Sequence, residues 1–192
     1  MVIEKLDPTA PTPYRIRNHP TAREEAINDP MTMLKGDHRE VKAMLTTLAE
    51  SEEGPEREAL CRKATEALLL HMTIEEELVY PLIKTHVGAD EDEEANIEHG
   101  LARDGLTTMG SMVDKPGFGA AVEMLAGGIS HHVEEEESEL LPELKSAMDP
   151  AEWLRLGDEI AAARAASGAP VAKPYKRRAT KRTKVSSNGA RK

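Results

Sequence analysis

Four histidines and two glutamates recur in this chain at spacings that suit a metal ion. His38 and His99 lie 61 positions apart, as do His71 and His132, Glu75 and Glu136, and Pro81 and Pro142. In "HMTIEEELVYP" (71–81) and "HHVEEEESELLP" (131–142) the glutamate follows its histidine by four residues. On a helix that is one turn, a rise of about 6 Å along one face. Imidazole suits Fe, Zn, Cu and Ni, and carboxylates can bridge two ions. Glutamates on an apolar face need a partner, because an unpaired buried carboxylate is very costly. A bound cation supplies one. Six protein ligands cannot saturate two six-coordinate ions, so positions remain for water or an exogenous ligand.

The second motif opens with two histidines, and periodicity separates them. His132 and Glu136 share a stripe with Leu125, Ile129, Leu140 and Leu144. His131, Glu135 and Glu139 fall on another stripe, about 100° away per residue and dominated by acid. His132 is therefore predicted to point inward and His131 toward water or the bundle edge. Glu76, Glu77, Glu134, Glu135 and Glu137 read as a solvated face and helix-pair charges. His86 falls near a helix C-terminus, where it meets the dipole. Cys61 and the nine methionines read as core filling.

These residues need helices to carry them. Asp29 is a plausible N-cap ahead of Pro30, and Met31, Leu34, His38, Val41, Leu45 and Leu48 then recur at three- and four-residue steps. Pro55 opens a second helix with Leu68, His71, Glu75, Leu78 and Leu82 on one face. A third starts near Asp90 with Ala95, His99, Ala102, Leu106, Met109 and Val113, and a fourth carries the second His–Glu motif. Pro81 and Pro142 are expected near the ends of helices two and four. One helical hairpin thus occurs twice, and two hairpins bury each other's apolar faces as an antiparallel four-helix bundle. "DPAEWLRLGDEIAAARAA" predicts a shorter fifth helix, with Trp153, Leu156 and Ile160 against the bundle. The expected organisation is an extended arm (1–28, including His19), the bundle (29–148), an additional helix (149–168) and a disordered tail (169–192).

Composition agrees with an all-α chain. Of 192 residues, 39% are hydrophobic and only 3% aromatic, which disfavours sheets. The lone Cys61 excludes an internal disulfide framework and fits a reducing compartment. With no apolar leader at the N-terminus and no apolar run long enough for a bilayer, the expectation is a cytoplasmic protein without membrane contact. Net charge is −10, but residues 173–192 carry nine Lys or Arg and no acid, which leaves −19 on the rest. Any nucleic-acid contact through that tail would be weak, non-specific and salt-dependent, and its one aromatic, Tyr175, gives little support for base stacking.

"DPMTMLKGDHREVKAML", "HMTIEEELVYP", "IEHGLARDGL" and "HHVEEEESELLP" together resemble the four signature helices of the hemerythrin-like HHE cation-binding family, over about residues 29–147. The resemblance implies an up-down-up-down bundle around a non-haem di-iron centre, with His38, His71, Glu75, His99, His132 and Glu136 as ligands. His71 and His132 would each serve one of the two iron ions, with the glutamates bridging. Oxygen carriers of that family have a second histidine four residues after the first in helix three; here Arg103 stands there. Glu136 likewise replaces an aspartate ligand. The departure favours chemistry with a small oxidant, namely dioxygen, hydrogen peroxide or nitric oxide, over reversible carriage. The alternative is a non-enzymatic iron-binding protein or a sensor of oxygen or redox state.

Overall fold

The computed structural model describes residues 28–168. The expected arm (save Asn28) and the basic tail, with its nucleic-acid contact, lie outside them. Helices run Pro30–Ala49 (α1), Pro55–Ile74 (α2), Tyr80–His86 (α3), Ala89–Ser111 (α4), Phe118–Glu135 (α5), Leu141–Ala147 (α6) and Pro150–Ala166 (α7). Two π-helical turns, Glu75–Val79 and Glu136–Leu140, join α2 to α3 and α5 to α6 without a break. The result is four long helices and a shorter fifth, with no strand among the described residues. None of these helices is long and apolar enough to cross a membrane.

Local chemistry sets the helix starts. The Asp29 carboxylate accepts the Thr32 N–H at 3.0 Å, and that of Asp149 accepts the Ala151 N–H at 2.8 Å. Each aspartate precedes a proline in the first turn, where the missing donor costs nothing. Gly54 and Gly117 precede α2 and α5 with φ of 148° and 91°, values that disfavour a side chain. Arg57 ties the two loops at that end. Its guanidinium donates to Ser51 Oγ at 3.1 Å and to the Val113 carbonyl at 3.2 Å, and lies 4.7 Å above the Phe118 ring.

Two apolar blocks fill the interior. One joins Val41, Leu45 and Leu48 of α1 to Leu68 and Met72 of α2, Leu106 and Met109 of α4, and Val122 and Ile129 of α5. The other joins Leu34 to Ile83, Leu141 and Leu144, and to Trp153, Leu156 and Ile160 of α7. Along each long helix the order of the blocks reverses from the one before, so the helices run up, down, up and down. Between the blocks lies a layer of buried His38, His71, Glu75, His99, His132 and Glu136. α7 docks tightly: the Trp153 Nε1–H donates to Asp29 Oδ1 at 2.8 Å, and a Cβ on Gly157 would sit 1.8 Å from the Asn28 carbonyl oxygen.

The π turns correct the expected stripes. Leu78, Leu82 and Leu140 are only half-buried, while Val79, Tyr80, Ile83 and Leu141 are buried. Each wide turn holds one residue more than an α turn, which moves the core face on by one position. The Tyr80 N–H reaches back five residues to the Glu75 carbonyl, and the Leu141 N–H to that of Glu136. Pro81 and Pro142 follow immediately and do not end their helices. A proline inside a regular α-helix clashes with the carbonyl four residues back; the wide turn relieves that crowding.

Candidate metal centre

The buried layer brings all six sequence-predicted residues together. α1 supplies His38, α2 His71, α4 His99 and α5 His132, while Glu75 and Glu136 begin the two π turns. His38 and His71 pack edge to face with ring centroids 4.6 Å apart, and His99 and His132 do so at 4.8 Å. Each hairpin thus contributes one imidazole pair.

The carboxylates join the pairs. Glu75 Oε2 lies 3.1 Å from His71 Nε2 and 3.5 Å from His99 Nε2, so it spans both hairpins. Glu136 spans them as well, with Oε2 3.2 Å from His38 Nε2 and Oε1 3.5 Å from His132 Nε2. Two overlapping sets could each hold an ion: His38, His71, Glu75 and Glu136, then Glu75, His99 and His132. His38 Nε2, His71 Nε2, both Glu75 oxygens and Glu136 Oε2 are buried without a hydrogen-bond partner. Unsatisfied buried nitrogen and oxygen donors aimed at a common centre are the donor set that metal cations require.

Behind every imidazole stands a second carboxylate. His38 Nδ1 meets Glu137 at 2.9 Å, His99 Nδ1 meets Glu76 at 2.9 Å, and His132 Nδ1 meets Glu98 at 2.7 Å. Asp37 lies 3.5 Å from His71 Nδ1. A hydrogen held on Nδ1 fixes the tautomer and leaves the Nε2 lone pair for a cation. Glu76 and Glu137 thus do more than form helix-pair charges, since each is half-buried against an imidazole, while Glu77 and Glu134 are exposed.

Each outer carboxylate in turn meets a basic side chain. Arg103 grips Glu76 at 2.7 and 2.8 Å, Lys35 lies 3.5 Å from Glu137, His131 lies 3.8 Å from Glu98, and Arg164 contacts Asp37. Arg103 thus acts in the outer layer. His131, 66% exposed and also 3.5 Å from Glu135, stays outside the buried centre as expected. His86 is exposed in the last turn of α3, and Cys61 is buried in the core.

Tyr80 is the residue that sequence reasoning missed. Its hydroxyl lies 2.8 Å from His99 Nε2 and 3.4 Å from His132 Nε2, and donates to Glu136 Oε1 at 3.1 Å. A phenol oxygen therefore stands beside the His99–His132 pair. Five positions after Glu75, Tyr80 is off-stripe in a regular helix and reaches the centre only through the π turn. Its counterpart 61 positions on is Leu141, so the two candidate ligand sets differ.

Protons compete with cations here. Burial pulls the His38 pKa down, but Glu136 and Glu75 outweigh it and hold it up at about 10. Burial likewise lowers that of His99 while Glu75 and Glu76 raise it, with a net rise. Burial would raise Glu75, yet His71, His38 and His99 keep it well below the ordinary carboxylate range. Burial and the charges of Glu136 and Glu75 push the Tyr80 phenol well above its usual value.

Comparison with known proteins agrees with this geometry. The family model described as the hemerythrin HHE cation binding domain matches residues 29–144. The crystal structure of a hemerythrin HHE cation binding domain-containing protein from Mycobacterium kansasii superposes with a TM-score of 0.65 at 24% identity, covering 73% of this chain and 88% of that one. At that identity the likeness speaks for the fold alone. No curated protein matches the chain.

Proposed function

The chain belongs to the hemerythrin HHE cation-binding domain family, and from that premise we propose that its centre holds two iron ions and that the protein binds or reduces a small oxidant. The oxidant is dioxygen, hydrogen peroxide or nitric oxide, and the role is defence against oxidative or nitrosative stress. The carrying observation is the set of buried nitrogens and carboxylate oxygens, without hydrogen-bond partners, between the two imidazole pairs.

His38, His71, Glu75 and Glu136 would hold one ion, and His99, His132 and Glu75 the other, with Glu136 and Tyr80 oxygens beside it. When bound, iron supplies electron transfer and Lewis acidity. The chain supplies the rest. The outer carboxylates orient the imidazoles, and Tyr80 holds a proton against Glu136 Oε1. Val41, Leu68, Met72, Ile129 and Val133 close over the four imidazoles around a cavity of about 10 Å³. That volume takes one water-sized molecule. So small a space favours a small ligand over an organic substrate.

Metal analysis with an optical spectrum tests the reading. Two iron ions per chain and near-ultraviolet ferric absorption are expected; zinc alone, or no metal, overturns it. Mixing the reduced protein with oxygen separates reduction from carriage. Rapid oxidation is expected, whereas oxygen recovered under vacuum would make the protein a carrier.

A further inference from the structure

We propose that Arg164 of α7 is a positioning residue for the first metal position, acting through Asp37 on His71. The inference rests on the metal-binding reading and concerns a residue beyond position 144, where the family match ends. The Arg164 side chain is 9% exposed, and its Nη2 donates to Asp37 Oδ2. That same oxygen faces His71 Nδ1 at 3.5 Å. A guanidinium so deeply buried requires an anion, and Asp37 is its partner.

The Asp37 link is the weakest of the four. The other carboxylates lie 2.7–2.9 Å from their imidazoles, and His71 Nδ1 has no aligned hydrogen bond. The Asp37 side chain is 20% exposed, so water competes for it on one side while the imidazole waits on the other. The buried guanidinium decides between them by fixing one oxygen over His71. Lys35, Arg103 and His131 are 28%, 38% and 66% exposed and belong to the bundle helices. Arg164 alone of the four comes from the fifth helix. α7 is held by Trp153 and by the close approach of Gly157 to Asn28, so its last turn has a fixed place over α1.

Cobalt(II) titration of the metal-free full-length chain, followed by calorimetry and the visible cobalt bands, tests this. Wild type should take up two ions. Arg164→Leu should weaken one of them by roughly 10-fold or more, as loss of an outer partner does, and leave the other unchanged. Arg164→Lys should recover much of the loss. In an Asp37→Asn background, Arg164→Leu should add nothing, because the two residues act in series. Unchanged affinities in Arg164→Leu overturn the proposal. So does equal weakening of both ions, or a lysine variant as poor as the leucine one, since either would mean that α7 merely props the fold. A wild-type chain that takes up no cobalt overturns the metal reading, and this inference with it.

Discussion

The run of four glutamates after His132 divides its labour at single-residue resolution. Glu134 is exposed, Glu135 meets His131, Glu136 enters the centre and Glu137 holds His38. The inward pair was legible from the heptad-like stripe, and so was the exclusion of His131. The role of Glu137 was not, because periodicity gives an angle around one helix and says nothing of which neighbour approaches that angle. His132→Ala should therefore cost one bound ion, while His131→Ala should leave metal content near wild type; the reverse result would place the wrong histidine in the centre. Tyr80→Phe is expected to preserve the helical fold and to weaken one ion by about 10-fold, an effect of the size seen when a partner of a metal site is removed. Equal cobalt affinities in Tyr80→Phe and wild type would show that the phenol only fills space.

Helix starts were readable from Asp-Pro pairs, and the duplicated hairpin from its 61-residue offset. The π turns were not, since one extra residue leaves no compositional mark beyond a proline, which suits a position near a helix end equally well. They make the second and fourth long helices each a pair of α segments with shifted faces. Deleting exposed Glu77 should therefore be tolerated better than deleting Thr108 from the regular α4. The first restores α spacing and keeps Tyr80 and Ile83 on the core face, whereas the second turns buried Met109 and the end of α4 by about 100° away from the core. The Glu77 deletion leaves Pro81 inside a regular helix, at a cost of about 3 kcal/mol. Pro81→Ala should recover most of that in the deleted background. Denaturant melts of the three variants would check this, and a Glu77 deletion as damaging as that of Thr108 would contradict the register argument.

For the whole molecule, the buried layer sets a pH window in the metal-free state. His38 titrates at about 10 against an ordinary 6.5, so its contribution is complete below 6.5 and is lost as pH rises through 10. Glu75 is depressed below its ordinary 4.5, so its contribution is complete above 4.5 and is lost as pH falls through its lowered value. These two groups favour a stability maximum between 4.5 and 6.5, and metal affinity should climb with pH because binding displaces the His38 proton. Thermal melts with and without metal would check both slopes. The twofold plan has another consequence. Two imidazoles of each set come from a single hairpin, and Glu75, Glu136, Tyr80, Glu76 and Glu137 reach across, so the centre is an interface between half-molecules joined by the loop at 112–117. A chain nicked in that loop should stay assembled while loaded, and a chelator should loosen the fragments far more than it loosens the intact protein. The ions would then be staples, and the fold a tethered dimer.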